Sequence, residues 1–100
     1  MIDLDPLHLE TIKRILAEYV PDCEALVFGS RARGTAAAYS DLDIALVSNE
    51  KLDWRRIEAL KDAFAESDLP IIVDPVDWHS ISDSFRAIIE SKHEVLKNRQ

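Results

Sequence analysis

A short apolar run that ends in a glycine and a serine constrains this chain more than any other feature. Ala25 to Phe28 are apolar, and Gly29 and Ser30 follow directly. Such a run is typical of a buried β-strand. A glycine and a serine where a strand passes into a helix leave backbone N–H groups, a hydroxyl and the positive end of a helix dipole to hold an anion. We therefore predict a strand over 25–28 and a phosphate-binding turn at Gly29 and Ser30.

Two aspartates stand at the start of a second predicted strand. Segment 41–47 alternates apolar residues on one face with Asp41 and Asp43 on the other. Alternate side chains of a strand point the same way, so these carboxylates share a face with their Cα atoms roughly 6 to 7 Å apart. Two like charges so placed repel each other unless a cation lies between them. Mg²⁺ prefers oxygen ligands, and two metal ions roughly 4 Å apart are used in many phosphoryl transfers. We predict that Asp41 and Asp43 bind two Mg²⁺ ions.

The phosphate turn and the acidic pair must meet if they act together. Ser30 follows the carboxyl end of the first strand, whereas Asp41 begins the second strand. Those two ends coincide only when the strands run antiparallel. An antiparallel first strand pair within a small mixed sheet is therefore expected.

A third carboxylate is usually needed to bind the catalytic metal and to receive the proton of the attacking hydroxyl. Asp74 follows three β-branched residues in a third predicted strand that begins at Ile71. Asp77 is the alternative, but it falls on the opposite face and after Pro75, which disturbs a regular ladder. We predict Asp74 as the third acid, with Asp77 as its competitor.

Arg31 and Arg33 follow the phosphate turn, and each has two interpretations. A guanidinium there adds positive charge near the β- and γ-phosphates of a bound triphosphate, or it is an ordinary surface charge. Tyr39 either lines the nucleotide site or covers the sheet edge. Trp54 and Trp78 are expected to pack on the core or its rim.

Three helices are predicted from capping residues and from apolar residues at helical spacing. They run from Pro6, behind the cap Asp5, to about Val20; from Asp53 to about Ser67; and from Ser80 or Ser82 through Leu96. The residues expected on the core side are Trp54, Ile57, Leu60 or Ala59, and Phe64 in the second helix, and Phe85, Ile88, Ile89, Val95 and Leu96 in the last. With the three strands and a short helical turn after Ser30, this order predicts an α/β fold, a sheet covered by helices.

Size and charge limit the function. The 100 residues, 47% of them hydrophobic, suit one domain spanning 1–100. The net charge of −7 disfavours a nucleic-acid substrate, because phosphate binding needs a basic face, and it favours a basic protein partner or a small molecule. The apolar runs are too short to cross a membrane. The single cysteine, Cys23, excludes an internal disulfide and fits a reducing cytoplasm, where we expect the protein to act.

The acidic pair and the glycine-serine turn also resemble a known signature. Gly29-Ser30, ten further residues and Asp41-Leu42-Asp43 are similar to the motif of the DNA polymerase beta nucleotidyltransferase superfamily. The fuller stretches 28–35 and 40–46 resemble its minimal nucleotidyltransferase (MNT) branch. Segment 72–77 resembles the third-acid strand of that branch, whose first aspartate corresponds to Asp74. The chain departs from the pattern at Pro75, where an aliphatic residue is usual, and at Ser91-Lys92, where a glutamate-glycine pair is frequent.

The resemblance implies a fold and an activity. It implies a polymerase-beta-like nucleotidyltransferase fold, and an antitoxin paired with a HEPN-domain ribonuclease toxin. Such antitoxins transfer AMP from ATP to a tyrosine of the toxin. By the same resemblance Ser30 holds the triphosphate, while the three acids bind Mg²⁺ and Asp74 favours deprotonation of the acceptor hydroxyl.

Two other functions are compatible with the same residues. In the first, the chain is an antitoxin that neutralises its partner by binding alone, without catalysis. In the second, it transfers a nucleotide to a small molecule. The small-molecule enzymes that share the motif carry an additional helical domain, for which we expect no room here. The preferred nucleotide, the acceptor residue, the number of AMP units and the oligomeric state are left open.

Overall fold

The structure, a computed structural model, describes residues 2–36 and 40–99. Four α-helices and four β-strands follow one another within these residues. They are α1 (Pro6–Tyr19), β1 (Glu24–Phe28), α2 (Ser30–Arg33), β2 (Leu42–Val47), α3 (Trp54–Glu66), β3 (Val73–Asp77), α4 (Asp83–Ser91) and β4 (Glu94–Lys97), with a short 3₁₀ turn at Trp78–Ser80. None of the helices in the described part of the chain has the length and apolar character needed to cross a membrane.

The strands form one mixed sheet in the order β3-β2-β1-β4. Strands β1 and β2 are antiparallel, and Phe28 lies opposite Asp43. Strands β2 and β3 are parallel, and Asp43 lies opposite Asp74. Strand β4 adds to the other side of β1 in the antiparallel direction. The antiparallel first pair and the mixed sheet covered by helices are thus confirmed.

The first turns of the main helices are held by side chains. Asp5 accepts a hydrogen bond of 2.8 Å from a backbone N–H two residues on, and Asp53 accepts one of 2.9 Å in the same way. Ser82 accepts a bond of 3.2 Å from the N–H of Phe85. Such bonds satisfy backbone donors that have no partner within the helix. The helix starts behind Asp5 and Asp53 are confirmed, and of the two serines proposed for the last helix, Ser82 is the cap.

The two faces of the sheet are packed differently. On one face, Leu42, Ile44 and Val73 join the main core with α1 and α3. On the other face, α4 covers a smaller cluster formed by Leu26, Ala45 and Ile89. We call these the core face and the α4 face. Because side chains of a strand alternate, residues 43 and 74 lie on the α4 face.

The last helix is shorter than expected. It ends at Ser91, because Lys92 has extended backbone angles (φ −155°, ψ 108°), and the chain then forms β4. The prediction of one helix through Leu96 was wrong. Two adjacent apolar residues, Val95 and Leu96, fit a helix or a strand equally well, and the free edge of β1 provides the hydrogen-bonding partner that decides for a strand.

Four further expectations about the core were wrong. Residues placed on the core side by their spacing are exposed, namely Trp54 (68%), Ile88 (63%), Val95 (49%) and Phe85 (38%). Other positions of the same elements, such as Leu60, Ile89 and Leu96, fill the core instead.

The third strand also differs in its limits. It starts at Val73 rather than at Ile71, and it continues through Pro75 to Asp77. A proline is tolerated here because β3 is an edge strand of the sheet. Leu52, between β2 and α3, is buried and completes the core near this edge.

Candidate active site at one end of the sheet

The turn after β1 brings the predicted phosphate site directly over an acid. Gly29 has φ +77° and ψ −156°, a backbone conformation that residues other than glycine rarely adopt. A Cβ added to Gly29 would lie 2.5 Å from Oδ2 of Asp43. The backbone of the turn and the carboxylate of the second strand are therefore in close approach. Ser30 begins helix α2 immediately beyond this point.

The three predicted acids lie near one another at the start of β2 and β3. Asp43 lies opposite Asp74 in the parallel ladder, and Asp41, directly before β2, is close enough for its charge to act on Asp43. Burial, followed by the negative charges of Asp74 and Asp41, raises the pKa of Asp43, while Arg33 opposes this rise. A raised pKa with these causes means that ionising the cluster is unfavourable without a cation.

The oxygen donors of the acidic cluster suit a metal ion that receives some ligands from the protein and the others from the substrate. Among residues 2–36 and 40–99, no three His, Cys, Asp or Glu side chains form a site that could hold a metal ion by themselves. Mg²⁺ commonly binds through one or two carboxylates, with waters and substrate phosphates completing its octahedron. Asp41, Asp43 and Asp74 offer only oxygen donors, and the phosphate turn lies beside them. The residues present therefore fit Mg²⁺ bound together with a nucleoside triphosphate.

Asp77, the competitor for the role of third acid, is occupied elsewhere. It is 7% exposed and shares the core face with Val73. Its carboxylate accepts hydrogen bonds from the N–H groups of Leu52 (2.9 Å) and His79 (3.1 Å) and from the hydroxyl of Ser80 (3.3 Å). Of the two candidates, the geometry brings only Asp74 to the acidic cluster.

Arg31 has a position that neither of its two interpretations included. It is 5% exposed, and its Nε and Nη2 donate to the carbonyl of Ser40 at 3.0 and 2.9 Å. Its Nη1 donates to the carbonyl of Asp3 at 2.6 Å, and the N–H of Asp3 donates back to the Arg31 carbonyl at 3.0 Å. The guanidinium thus joins α2 to the N-terminal segment and to the residue preceding Asp41. No local sequence pattern predicts such distant carbonyl partners.

Arg33 lies on the solvent side of α2 and is exposed. Together with Gly29 it lines a cleft of about 280 Å³ between the end of β1 and helix α4. The other walls of this cleft are Phe28, Phe85, Ile88, Ser91 and Lys92. Sequence reasoning missed the cleft because helical periodicity assigned Phe85 and Ile88 to the core. Tyr39 lies outside the described residues.

Comparisons with known proteins identify similar nucleotidyltransferases. The family model described as polymerase beta, nucleotidyltransferase, matches residues 10–100. The chain is 43% identical over 99 residues to the probable protein adenylyltransferase MntA of Haemophilus influenzae, and the match covers 99% of this chain and 87% of that protein.

Two solved structures are similar in fold. One is a crystal structure of a toxin–antitoxin with AMP-PNP, with a TM-score of 0.77, 29% identity, and coverage of 92% of this chain and 74% of the other. The second is an MNT antitoxin in complex with the tri-AMPylated HEPN toxin of Shewanella oneidensis, with a TM-score of 0.63, 25% identity, and coverage of 94% and 72%. The chain belongs to the polymerase beta nucleotidyltransferase family.

Proposed function

We propose that this chain is a Mg²⁺-dependent nucleotidyltransferase that acts in the cytoplasm as an antitoxin. It transfers AMP from ATP to a hydroxyl, that of a tyrosine, on a partner HEPN ribonuclease. The relatives support this reaction, since one is named a probable protein adenylyltransferase and the structure of another is a complex with a tri-AMPylated HEPN toxin. The observation that carries the proposal is the close approach of the Gly29 turn to the Asp43 carboxylate.

Each residue has a role in this reaction. Gly29 and Ser30 hold the β- and γ-phosphates, and the exposed guanidinium of Arg33 adds positive charge beside them. Asp41, Asp43 and Asp74 would hold two Mg²⁺ ions. When bound, these ions neutralise the phosphates and stabilise charge on the attacking and leaving oxygens. Arg31 acts through the backbone, since it fixes the segment leading to Asp41.

The transfer is an in-line displacement at the α-phosphorus. The acceptor oxygen forms a bond to the α-phosphorus, and the bond from that phosphorus to the α–β bridging oxygen breaks. Pyrophosphate leaves on the side of the Gly29 turn. The carboxylate of Asp74 receives the proton of the acceptor hydroxyl.

A labelling experiment tests this function. The chain is incubated with Mg²⁺, ATP labelled at the α-phosphate, and a HEPN-domain protein expressed as its candidate partner. We expect label on the partner, and a loss of roughly a thousandfold in rate for Asp43→Asn, because a ligand of the reacting centre is removed. Asp62→Asn, an exposed aspartate of α3, is the matched control and should label normally. Equal labelling by Asp43→Asn and the control would contradict the proposal.

Neutralisation by binding alone is the second candidate. The net charge of −7 favours it, because an acidic surface suits a basic ribonuclease. A double variant, Asp41→Asn with Asp43→Asn, distinguishes neutralisation by catalysis from neutralisation by binding alone. Full protection from the toxin by the double variant would favour binding alone, whereas loss of protection with retained complex formation would favour catalysis.

A further inference from the structure

The cleft beside the phosphate turn has an unusual wall. Helix α4 buries Ile89 against the sheet, but it leaves Phe85 and Ile88 38% and 63% exposed. The rings of Phe28 and Phe85 meet edge to face, with centroids 5.6 Å apart and planes at 84°. The two phenylalanines and Ile88 therefore form an apolar surface that stays open to solvent at the end of β1.

This apolar surface is continuous with the acidic cluster. Gly29 lines the cleft and also stands over the Asp43 carboxylate. Phe28 is the residue opposite Asp43 in the antiparallel ladder, and both are on the α4 face. A nucleotide with its phosphates at the Gly29 turn therefore has the cleft immediately beside it.

The apolar side chains of the cleft suit the base of a nucleotide. An exposed aromatic ring and an aliphatic side chain suit the flat faces of a base, and base–aromatic contacts stabilise binding. Arg33 and Lys92 also line the cleft and are exposed cations, so phosphates are the competing occupant that the test below must distinguish. A volume of about 280 Å³ is close to the lower end of typical small-molecule sites.

The strand order argues against the acceptor as the occupant. In an in-line displacement the acceptor attacks from the side opposite the leaving pyrophosphate. The order β3-β2-β1 places Asp74 on one side of Asp43 and the Gly29 turn on the other. The acceptor therefore arrives over β3, and the cleft, on the opposite side of Asp43, is left to the nucleotide.

We propose that the cleft lined by Phe28, Phe85 and Ile88 binds the base of the nucleoside triphosphate. This inference rests on the proposed nucleotidyltransferase function and adds to it the part of the protein that holds the base. It makes Phe85 and Ile88 determinants of nucleotide affinity, while the phosphates are bound at the Gly29 turn.

Titration calorimetry with two ligands tests the assignment. The probes are AMP-PNP, which carries a base, and inorganic tripolyphosphate, which does not, each with Mg²⁺. Ile88→Ser changes an exposed residue and should fold normally, and Phe85→Ala is the second variant. We expect both variants to bind AMP-PNP roughly tenfold more weakly and tripolyphosphate with unchanged affinity. Leu7→Ser, which alters an exposed aliphatic residue of α1, is the matched control.

The possible results are distinct. Unchanged affinity of Ile88→Ser for AMP-PNP would overturn the assignment, as would an equal loss for AMP-PNP and tripolyphosphate, which would place phosphates in the cleft. Unchanged nucleotide affinity with a raised KM for the protein acceptor would assign the cleft to the acceptor instead and overturn the proposal. If the unaltered chain binds neither probe, the nucleotidyltransferase function fails as well.

Discussion

The two faces of the sheet differ in composition, although the same strands contribute to both. On the core face, Leu42, Ile44 and Leu46 are fully buried. On the α4 face, the intervening Asp43 belongs to an acidic cluster that opens to solvent. Because side chains alternate, one residue of β2 stabilises the fold and the next belongs to the proposed active site. Substitutions on the two faces should therefore separate stability from activity.

The largest effect is expected on the core face. Ile44→Ala removes a fully buried side chain and leaves a cavity, so it should lower the free energy of unfolding by about 3 kcal/mol. Chemical denaturation measures this loss. The fraction that remains folded should retain its AMP-transfer rate per molecule. A variant with normal stability but no transfer would contradict the division between the two faces.

The next effect is expected at the turn that joins the faces. Gly29→Ala places a Cβ against the Asp43 carboxylate and strains a backbone with φ +77°. We expect transfer to fall about a hundredfold, since small displacements of reacting groups are costly. Steady-state kinetics measure this loss. Gly34, with φ +76° and no atom within 4 Å of an added Cβ, is the control position. Gly34→Ala tests a positive φ without the contact, and its left-handed angles (φ 76°, ψ 18°) strain an alanine less than those of Gly29 (φ 77°, ψ −156°). An equal loss of transfer in Gly34→Ala would contradict a special role for the turn at Gly29.

A smaller effect is expected from Arg31. Arg31→Gln removes the bonds to Ser40 and Asp3, and the segment before Asp41 becomes less well positioned. We expect the Mg²⁺ concentration for half-maximal rate to rise about tenfold, with a smaller effect on the KM for ATP. Arg33→Gln should show the reverse pattern if Arg33 contacts phosphates. Identical patterns for the two variants would contradict these separate roles.

The smallest effect is expected on the free energy of unfolding of the metal-free protein. The pKa of Asp43 is raised in the folded protein by burial and by Asp74 and Asp41. The folded state therefore favours the neutral carboxyl, and the metal-free protein should lose stability as the pH rises from the ordinary aspartate range through the raised pKa. Asp43→Asn should remove this loss and gain about 0.5–1 kcal/mol at neutral pH. Thermal unfolding in EDTA at several pH values measures both. A destabilised Asp43→Asn would contradict the expectation.

The sequence was sufficient for two kinds of feature. Local capping by Asp5 and Asp53 marks the helix starts, and the assumption that Ser30 and Asp41 act together predicts the antiparallel strand pair. Asp43 also lies opposite Asp74, while metal binding by the three acids stays a prediction.

Other features depend on contacts between distant parts of the chain. Strand β4 forms because β1 has a free edge, and Arg31 is buried because carbonyls of residues 3 and 40 converge on it. The exposure of Phe85 and Ile88 depends on how far α4 covers the sheet, which their helical spacing does not encode.

Pro75 determines how a partner can approach the acids. An open sheet edge normally invites another chain to add as a further strand, through a continuous row of backbone donors and acceptors. Pro75 interrupts that row on β3, one residue after Asp74, because it has no N–H to donate. Strand addition at this edge is therefore disfavoured, both by a second copy of the chain and by the acceptor protein. A partner that reaches Asp74 from this edge must then dock through side-chain contacts and not through a continuous backbone ladder along β3.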